Sequence, residues 1–235
     1  MQMIESYQEQ QRRIVNQLKN SSPAELPSQA TIVPMRADYT SDPALCLTSV
    51  VFLPMEIGQS IYQTIVEPLR AIEPEHHYYQ PEAMHLTIKN IRNVHYPPRF
   101  TQIDIDAVDR LFSQIIPRYA SFVISLEELV PFTTSVSLIG YSDQRLGELV
   151  QALDTGLKQI GLPDDRQYFS DQVFFGNVTL CRFVCPPSAR FFEKLTWLAT
   201  VYQGQLPVKQ IDLITCNAVC LPEARTIWHS YLLHD

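Results

Sequence analysis

The chain has 235 residues, of which 46% are hydrophobic and 18% charged, which is enough to bury the core of one large domain or of two small lobes. Its 7 glycines have neither the spacing of a dinucleotide fingerprint nor that of a P-loop, so a bound phosphate has to be held by side chains. The formal net charge of -7 argues against a long duplex nucleic acid as a partner, but it is compatible with a small nucleotide or a strand end.

The N-terminal segment predicts a helix outside the main domain. Apolar residues recur at helical spacing between residues 3 and 19, and the sequence SSPAELPSQ that follows is typical of a linker. We therefore divide the chain into an N-terminal helix with its linker, residues 1–30, and one main domain, residues 31–235. The apolar stripe of the helix either covers the core of its own chain or serves self-association with a second copy.

Hydrophobic periodicity predicts alternating strands and helices from residue 45 onward. In the first half, strands are predicted at residues 45–53, 84–91, 122–129 and 135–141, and helices at residues 61–72 and 103–116. In the second half, strands are predicted at residues 174–184, 208–217 and 226–233, and helices at residues 143–160 and 189–202. The similar order predicts two similar α+β halves, the first of which ends near residue 141.

Cysteine content and hydropathy indicate a cytoplasmic protein with no membrane partner. The 5 cysteines are an odd number and the start MQMIESYQEQQRR is too polar for a signal peptide, so we expect reduced thiols. Apolar runs such as LTSVVFLPM fall short of the roughly 18 residues that a membrane helix needs.

Two cysteine pairs, Cys181 with Cys185 and Cys216 with Cys220, fall in the spacing range of zinc sites. Residues four apart in an extended strand are about 13 Å apart, which is too far to share a metal unless the chain turns. We therefore interpret these thiols as small apolar residues and expect neither a metal nor another cofactor.

Polar residues alternate with apolar ones on two of the predicted strands. In MHLTIKNI, His85 and Thr87 share one face of the strand, and in FGNVTLCRF, Asn177 and Thr179 do the same, because successive side chains of a strand point to opposite faces. The two strands occupy comparable places in their halves. Each half therefore has a pair of polar side chains on a strand whose apolar residues are predicted to be buried.

With these two strands, residues 45 to 233 resemble the two-histidine phosphoesterase superfamily, which includes bacterial 2'-5' RNA ligases and 2',3'-cyclic phosphodiesterases. That family carries two His-x-Thr/Ser motifs, each followed by an apolar residue, on strands that face a shared cleft. Here His85-Leu86-Thr87-Ile88 is an intact first motif. The second motif, typically Phe-x-His-Val-Thr-Leu-x-Arg, is matched from Phe175 to Arg182 except that Asn177 replaces the histidine.

The resemblance implies an α+β fold with two pseudo-symmetric lobes, each a small, mostly antiparallel sheet with outer helices, around a central cleft. It also implies metal-independent hydrolysis or formation of a 2',3'-cyclic phosphate or a 2'-5' linkage, with the two histidines sharing the proton transfers. His85 and Thr87 would then be the catalytic residues, and Asn177 and Thr179 would bind the phosphate. Asparagine donates hydrogen bonds but does not titrate, so catalysis is expected to be impaired.

Two functions follow as expectations. The first is a phosphoesterase-like protein that acts on, or binds, the phosphoester of a nucleotide or an RNA end. The alternative is a binding protein for the same ligands that has lost the chemistry. A third class, an interaction protein that uses the N-terminal helix, is also compatible with the sequence.

Further side chains bear on this expectation. Other histidines that would supply a second titratable group are His76, His77, His95 and His229. Aromatic residues that would stack on a base are Tyr78, Tyr79, Phe132 and Phe175, although most aromatic side chains belong to a core. Lys89 continues the face of His85, where it either adds positive charge or is solvated. Strand alternation places Arg182 on the face opposite Asn177, so we interpret it as a structural contact outside the site.

Overall fold

The structure, a computed structural model, describes residues 5–20, 31–199 and 201–235. The predicted linker lies outside the described residues, as does the start of the predicted N-terminal helix. The helices are α1 (Tyr7–Asn20), α2 (Met55–Ile61), α3 (Gln102–Ile115), α4 (Gln144–Gln159) and α5 (Ala189–Leu198). The strands are β1 (Leu45–Phe52), β2 (His77–Tyr78), β3 (His85–His95), β4 (Phe122–Phe132), β5 (Ser135–Tyr141), β6 (Gly176–Arg182), β7 (Gly204–Val208), β8 (Gln210–Cys216) and β9 (Thr226–Leu232).

Local signals explain where several of these elements begin. Helix α3 starts with a capping box in which the Thr101 side chain accepts a hydrogen bond from the backbone N–H of Asp104, and the Asp104 carboxylate accepts one from the backbone N–H of Thr101. Helix α4 begins after Asp143 and α5 after Ser188, and each of these side chains caps the first turn. Helix α2 starts earlier than predicted and continues through a π turn, Tyr62–Val66, into the helical segment Glu67–Arg70.

All strands belong to one antiparallel sheet, in the order β7-β4-β5-β6-β3-β1-β8-β9, with the short β2 paired to β6. The sheet curls into a half-barrel, and β6 and β3 meet at its centre through the pair Leu86 and Val178. Two lobes of four strands lie on either side of this contact. Residues of α2, α3, α4 and α5 share the main hydrophobic core with one face of the sheet. This architecture confirms the predicted fold class.

The lobes do not correspond to the two halves of the chain. One lobe combines β1 and β3 with the last strands, β8 and β9, and the other combines β4 and β5 with β6 and β7. The predicted division of the halves near residue 141 was therefore wrong as a lobe boundary. The reason is that each lobe is closed by pairing between distant strands, such as β1 with β8, which local periodicity does not report.

Helix α1 packs on the rest of the chain, on the sheet face opposite the main core. Val15 contacts Val130, Ile139 and Tyr141 of β4 and β5. The fully buried Gln11 accepts a hydrogen bond of 3.0 Å from the backbone N–H of Ser142 and donates one to the carbonyl of Phe174. The apolar stripe of α1 thus covers its own chain, and self-association through this helix stays a prediction. No described helix is long and apolar enough to cross a membrane.

Candidate functional site

The two motif strands run side by side at the centre of the sheet. Because Leu86 lies opposite Val178 in an antiparallel pair, His85 is placed opposite Thr179 and Thr87 opposite Asn177. Leu86 and Val178 are fully buried in the core, whereas the four polar side chains are half-buried on the other face. All four line one cavity of about 260 Å³. The structure therefore brings together every side chain that the two motifs singled out.

The imidazole of His85 is oriented by the backbone. Its Nδ1 lies 2.8 Å from the carbonyl oxygen of Ala83, so Nδ1–H donates there and Nε2 is left for other partners. The 3-10 turn Pro81–Ala83 supplies that carbonyl immediately before the strand. Burial lowers the pKa of His85, but the negative charge and hydrogen bond of Cys220, the hydrogen bond to Ala83 and the charge of Cys46 together outweigh it, and the net effect is a raised pKa. The structure thus favours the protonated ring at higher pH than for an exposed histidine.

Asn177 carries an unpartnered group at the cavity. Its Oδ1 is buried and has no hydrogen-bond partner among the described residues. A buried acceptor without a partner costs about 1–3 kcal/mol, a cost that a hydrogen-bond donor on a bound ligand would remove. Thr87 lies opposite Asn177 across the strand pair, and both threonines line the same cavity. Together these groups can bind a phosphate or its ester oxygens, but of them none titrates near neutral pH.

A β-bulge places Arg182 in the cavity. Along β5, Ser137 pairs with Thr179 and the next residue, Val136, pairs with Cys181, so Leu180 is an extra residue in β6. The bulge shifts the alternation by one residue, and Arg182 returns to the face of Thr179. Its predicted position on the opposite face, outside the site, was therefore wrong.

The same irregularity occurs in β3, one residue after the first motif's threonine. Val50 of β1 pairs with Thr87 and the preceding Ser49 pairs with Lys89, so Ile88 is the extra residue. Lys89 leaves the face of His85 and becomes 2% exposed. The apolar residue that follows threonine in each motif is thus the bulged residue in both lobes.

Lys89 is part of a buried ion-pair network instead. Its Nζ donates to Asp154 of α4 at 2.8 Å and also to Asp164, and it lies 4.9 Å from the centre of the Tyr168 ring. Both predicted roles for Lys89, a charge beside His85 and a solvated cation, were wrong. The network ties β3 to α4 and to the loop that follows this helix.

Two guanidinium groups line the cavity in a protein that is acidic overall. Arg182 donates from Nε to the hydroxyl of Tyr79 at 3.1 Å and to the carbonyl oxygen of Ala218 at 3.0 Å, which fixes its position. Arg166 reaches the same cavity from the loop after α4, and no motif in the sequence marks it. These cations supply the positive charge that a phosphate ligand requires.

Of the four aromatic residues that were predicted to stack on a base, two line the cavity and two do not. Phe132 and Phe175 line the cavity as predicted, and they are joined by Tyr168, Phe169 and, from α1, Leu18. Tyr78 and Tyr79 are buried beside the site and do not line it.

The four other histidines that were considered have partners away from the cavity. His76 is buried between Phe183 and Phe191 with Nε2 3.0 Å from Glu73. His77 lies beside Tyr39, His95 beside the carbonyl of Pro97, and His229 beside Asp109. None of the four lines the cavity in the described part of the chain.

The cysteines do not form the zinc pairs that their spacing suggested. Cys181 is buried in the main core and Cys185 is exposed. Cys216 and Cys220 pack together with Cys46 beside His85. Among the residues that the structure describes, no group of three or more His, Cys, Asp or Glu is arranged to hold a metal ion.

Comparison with known proteins identifies the fold. No family model and no curated protein matches the sequence. A solved phosphoesterase structure is similar at 18% identity and a TM-score of 0.55, covering 82% of this chain and 99% of the other. E. coli LigT complexed with ATP is similar at 16% identity and a TM-score of 0.56, with the same coverage of 82% and 99%. The protein TT0787 of Thermus thermophilus is similar at 16% identity and a TM-score of 0.56, covering 80% and 97%.

These similarities define the class of structure. The protein has the LigT-like fold, which the solved phosphoesterase and LigT share. LigT has also been solved in complex with 3'-AMP, phosphate and NADP+. At these identities the comparison concerns the fold, and the chemistry of this chain rests on its own cavity.

Proposed function

We propose that this protein is a metal-independent phosphoesterase-like protein of the two-histidine type, which binds the phosphoester of a nucleotide or an RNA end. The observation that carries the proposal is the convergence of His85, Thr87, Asn177 and Thr179, together with Arg182, on one cavity. Nucleotide and phosphate complexes of LigT, which shares the fold, support the ligand class. The ligand classes proposed are a 2',3'-cyclic phosphate and a 2'-5' linkage.

His85 is the one residue of the two motifs that titrates near neutral pH. In hydrolysis of a cyclic phosphate, water attacks phosphorus and loses a proton to the solvent, one ring P–O bond breaks, and the leaving oxygen takes a proton. The protonated imidazole of His85 would give that proton through Nε2, the nitrogen that does not bond to Ala83, in exchange for its hydrogen bond with Cys220. Its raised pKa keeps a larger share of the ring protonated at neutral pH. His85 therefore serves as the general acid, assisted by the hydroxyl of Thr87.

The opposite side of the phosphate lacks an equivalent base. Asn177 occupies that position and cannot accept a proton from the attacking water. Asn177 and Thr179 would hold phosphate oxygens, and Arg182 and Arg166 would balance their charge. Turnover is consequently expected to be slow, because a single acid or base group contributes about 10²- to 10⁴-fold.

The size of the cavity favours a small ligand. Its volume of about 260 Å³ is bounded by Leu18 of α1 and by the segment Thr31 to Val33, which lie over the inner face of the sheet. Phe132 and Phe175 would provide the apolar wall for a base. Such a cavity suits a mononucleotide or a terminal nucleotide, and no cofactor is part of the proposed reaction. The proposed location is the cytoplasm, where nucleotides and RNA ends are available.

The test is turnover of a 2',3'-cyclic nucleotide by the full-length protein with EDTA present. His85→Ala is the test variant, and His95→Ala, which removes a half-buried histidine that does not line the cavity, is the matched control. We expect slow turnover by wild type and His95→Ala and none by His85→Ala. Equal turnover by all three proteins would contradict the role of His85.

The alternative, a nucleotide or RNA-end binding protein without chemistry, is favoured by one specific observation, the asparagine at position 177. It predicts ligand binding with no turnover in the same assay. In that case His85→Ala weakens binding, which isothermal titration calorimetry with a 2',3'-cyclic nucleotide measures. An absence of both binding and turnover would contradict the two functions together.

A further inference from the structure

The loop that follows α4 carries an arginine whose charge has no partner. Arg166 lines the candidate-site cavity of about 260 Å³ and also an adjoining cavity of about 140 Å³, and His85 and Thr87 line both cavities with it. Among the described residues, none forms a hydrogen bond or an ion pair with its guanidinium, which lies 5.8 Å from the centre of the Tyr168 ring. The positive charge of Arg166 is therefore available to a ligand beside the two motif residues of β3.

The residues before Arg166 in the sequence make this lack of a partner unexpected. Asp164 and Asp165 directly precede it, and the backbone N–H of Arg166 donates to the Asp164 carboxylate at 2.9 Å. An aspartate that accepts a hydrogen bond from the backbone two residues further on forms a tight local turn. In such a turn the arginine side chain can return to the same carboxylate.

The same turn elsewhere in the chain does form that ion pair. At the start of α4, the backbone N–H of Arg145 donates to the Asp143 carboxylate at 3.0 Å. The Arg145 guanidinium returns to this carboxylate, with an Nη atom 2.6 Å from Oδ2. The Asp-x-Arg spacing thus allows the arginine to pair with its own aspartate. A further interaction has to keep Asp164 from pairing with Arg166 in the same way.

Lys89 provides that interaction. Its Nζ pairs with Asp164 and, at 2.8 Å, with Asp154, which pairs in turn with Lys158, so two positive and two negative side chains balance in this network. The Lys89 and Asp164 side chains are only 2% and 7% exposed. Their attraction is stronger than that of a pair near water, and breaking it would leave a buried charge unpaired. Asp164 therefore stays with Lys89, and the half-buried Arg166 stays unpaired.

The loop is also anchored on both sides of the arginine. The Asp165 carboxylate accepts a hydrogen bond of 2.7 Å from the backbone N–H of Asn93, and the Asp165 carbonyl accepts one of 2.8 Å from the Asn93 side chain. On the other side, the backbone N–H of Gln167 donates to the Thr31 hydroxyl at 2.9 Å, and the Thr31 N–H donates to the Gln167 carbonyl at 3.0 Å. These contacts fix the backbone of Arg166 next to the cavity.

We propose that Lys89 is a positioning residue, which keeps the guanidinium of Arg166 unpaired so that it binds the phosphate of the ligand. A guanidinium without a counter-ion from the protein binds phosphate oxygens through charge-assisted hydrogen bonds. Lys89 lines neither cavity in the described part of the chain, so it acts only through Asp164 and Arg166. The inference rests on the proposed function and adds that this loop, and not the two motifs alone, determines phosphate affinity.

Isothermal titration calorimetry of the full-length protein, with inorganic phosphate and with a 2',3'-cyclic nucleotide, tests the role of Arg166. We expect Arg166→Leu to weaken binding of both probes by about tenfold or more, as the loss of a hydrogen bond to a charged group predicts. Arg145→Leu is the matched control, because it removes the arginine of the other Asp-x-Arg turn, which does not line the cavity, and it retains the affinity of wild type.

The outcomes separate the inference from the proposed function. Wild type that binds the probes no better than Arg166→Leu would overturn the inference. Wild type that binds neither probe would contradict the proposed function itself.

A double variant tests the role of Lys89. In Lys89→Met, Asp164 is free to pair with Arg166, and we expect the affinity for both probes to fall about as far as in Arg166→Leu. Adding Asp164→Asn removes the competing carboxylate and restores most of the affinity. A merely structural role predicts no rescue, because the double variant lacks the same ion pair as Lys89→Met. A folded double variant that binds as weakly as Lys89→Met would overturn the role of Lys89.

A measurement on the wild type needs no buried substitution. In a proton–nitrogen NMR spectrum, added phosphate is expected to shift the side-chain Nε–H signal of Arg166 and to leave that of Arg145, which is already paired, in place. This measurement keeps the proposal testable if Lys89→Met does not fold. An Arg166 signal that does not shift at a saturating phosphate concentration would overturn the proposal.

Discussion

Replacing Asn177 by histidine tests whether the cavity retains the geometry of a two-histidine site. In the antiparallel pair, His85 lies opposite Thr179, so position 177 is its diagonal neighbour. Diagonal neighbours in such a pair are about 7–8 Å apart, with their Cβ atoms somewhat closer, which leaves room for a phosphate between two imidazole rings. His85 is oriented by the carbonyl two residues before it, and Phe175 is in the equivalent place for position 177.

The expected gain follows from what the new ring would add. One acid or base group contributes about 10²- to 10⁴-fold, which corresponds to about 2.7–5.4 kcal/mol of activation free energy. The unpartnered Oδ1 of Asn177 is removed in the same step. We therefore expect Asn177→His to raise turnover of a 2',3'-cyclic nucleotide by at least about tenfold, even if the new ring is imperfectly placed.

The assay is turnover with EDTA over a range of pH, with Asn177→Gln as the matched control because glutamine keeps the amide and cannot titrate. Wild type should show one titrating limb, with activity falling as the pH rises through the raised pKa of His85, whereas Asn177→His should show a bell. Circular dichroism establishes that the variant is folded. A folded Asn177→His protein whose turnover only matches that of Asn177→Gln would refute this reasoning. It would show that the cavity does not have the geometry of a two-histidine site, so that the side chain at position 177 is not the only difference from such a site.

Three further predictions follow from the structure. Arg182→Leu should weaken binding of a nucleotide phosphate by about 1.5–3 kcal/mol, the worth of a hydrogen bond to a charged group, and titration calorimetry would contradict this if affinity were unchanged. Gln11→Ala leaves the N–H of Ser142 without its partner and the carbonyl of Phe174 with the 3.4 Å hydrogen bond from Tyr7 alone, so denaturant unfolding should show a loss of about 1–3 kcal/mol in stability. Lys89→Met leaves the buried carboxylate of Asp164 without its ion-pair partner, whereas the half-buried Asp154 keeps its pair with Lys158, and the change should cost about 3–5 kcal/mol in the same measurement. An unchanged midpoint would show that the buried ion pair adds nothing.

The sequence contained enough local information to predict the elements and the motif residues. Strand β5 has the predicted limits of residues 135–141, and α3 and α4 differ from their predicted limits by one residue at each end. Two strands were missed: β2 has only two residues, and β7 contains a proline and pairs on one edge only, with β4. The alternation of His85 with Thr87 also predicted correctly which face of the strand they share, because period-two patterning is a local property of extended chain.

The features that the sequence did not predict depend on contacts between residues that lie far apart along the chain. The bulges at Ile88 and Leu180 are defined by their partner strands, so strand alternation alone misplaced Lys89 and Arg182. The cavity acquires Arg166 through a loop that carries no motif. Cys46 meets Cys216 because β1 and β8 pair across 170 residues. Local patterning determines which residues share a face, but long-range pairing of strands determines which faces meet, and the candidate site exists only where they do.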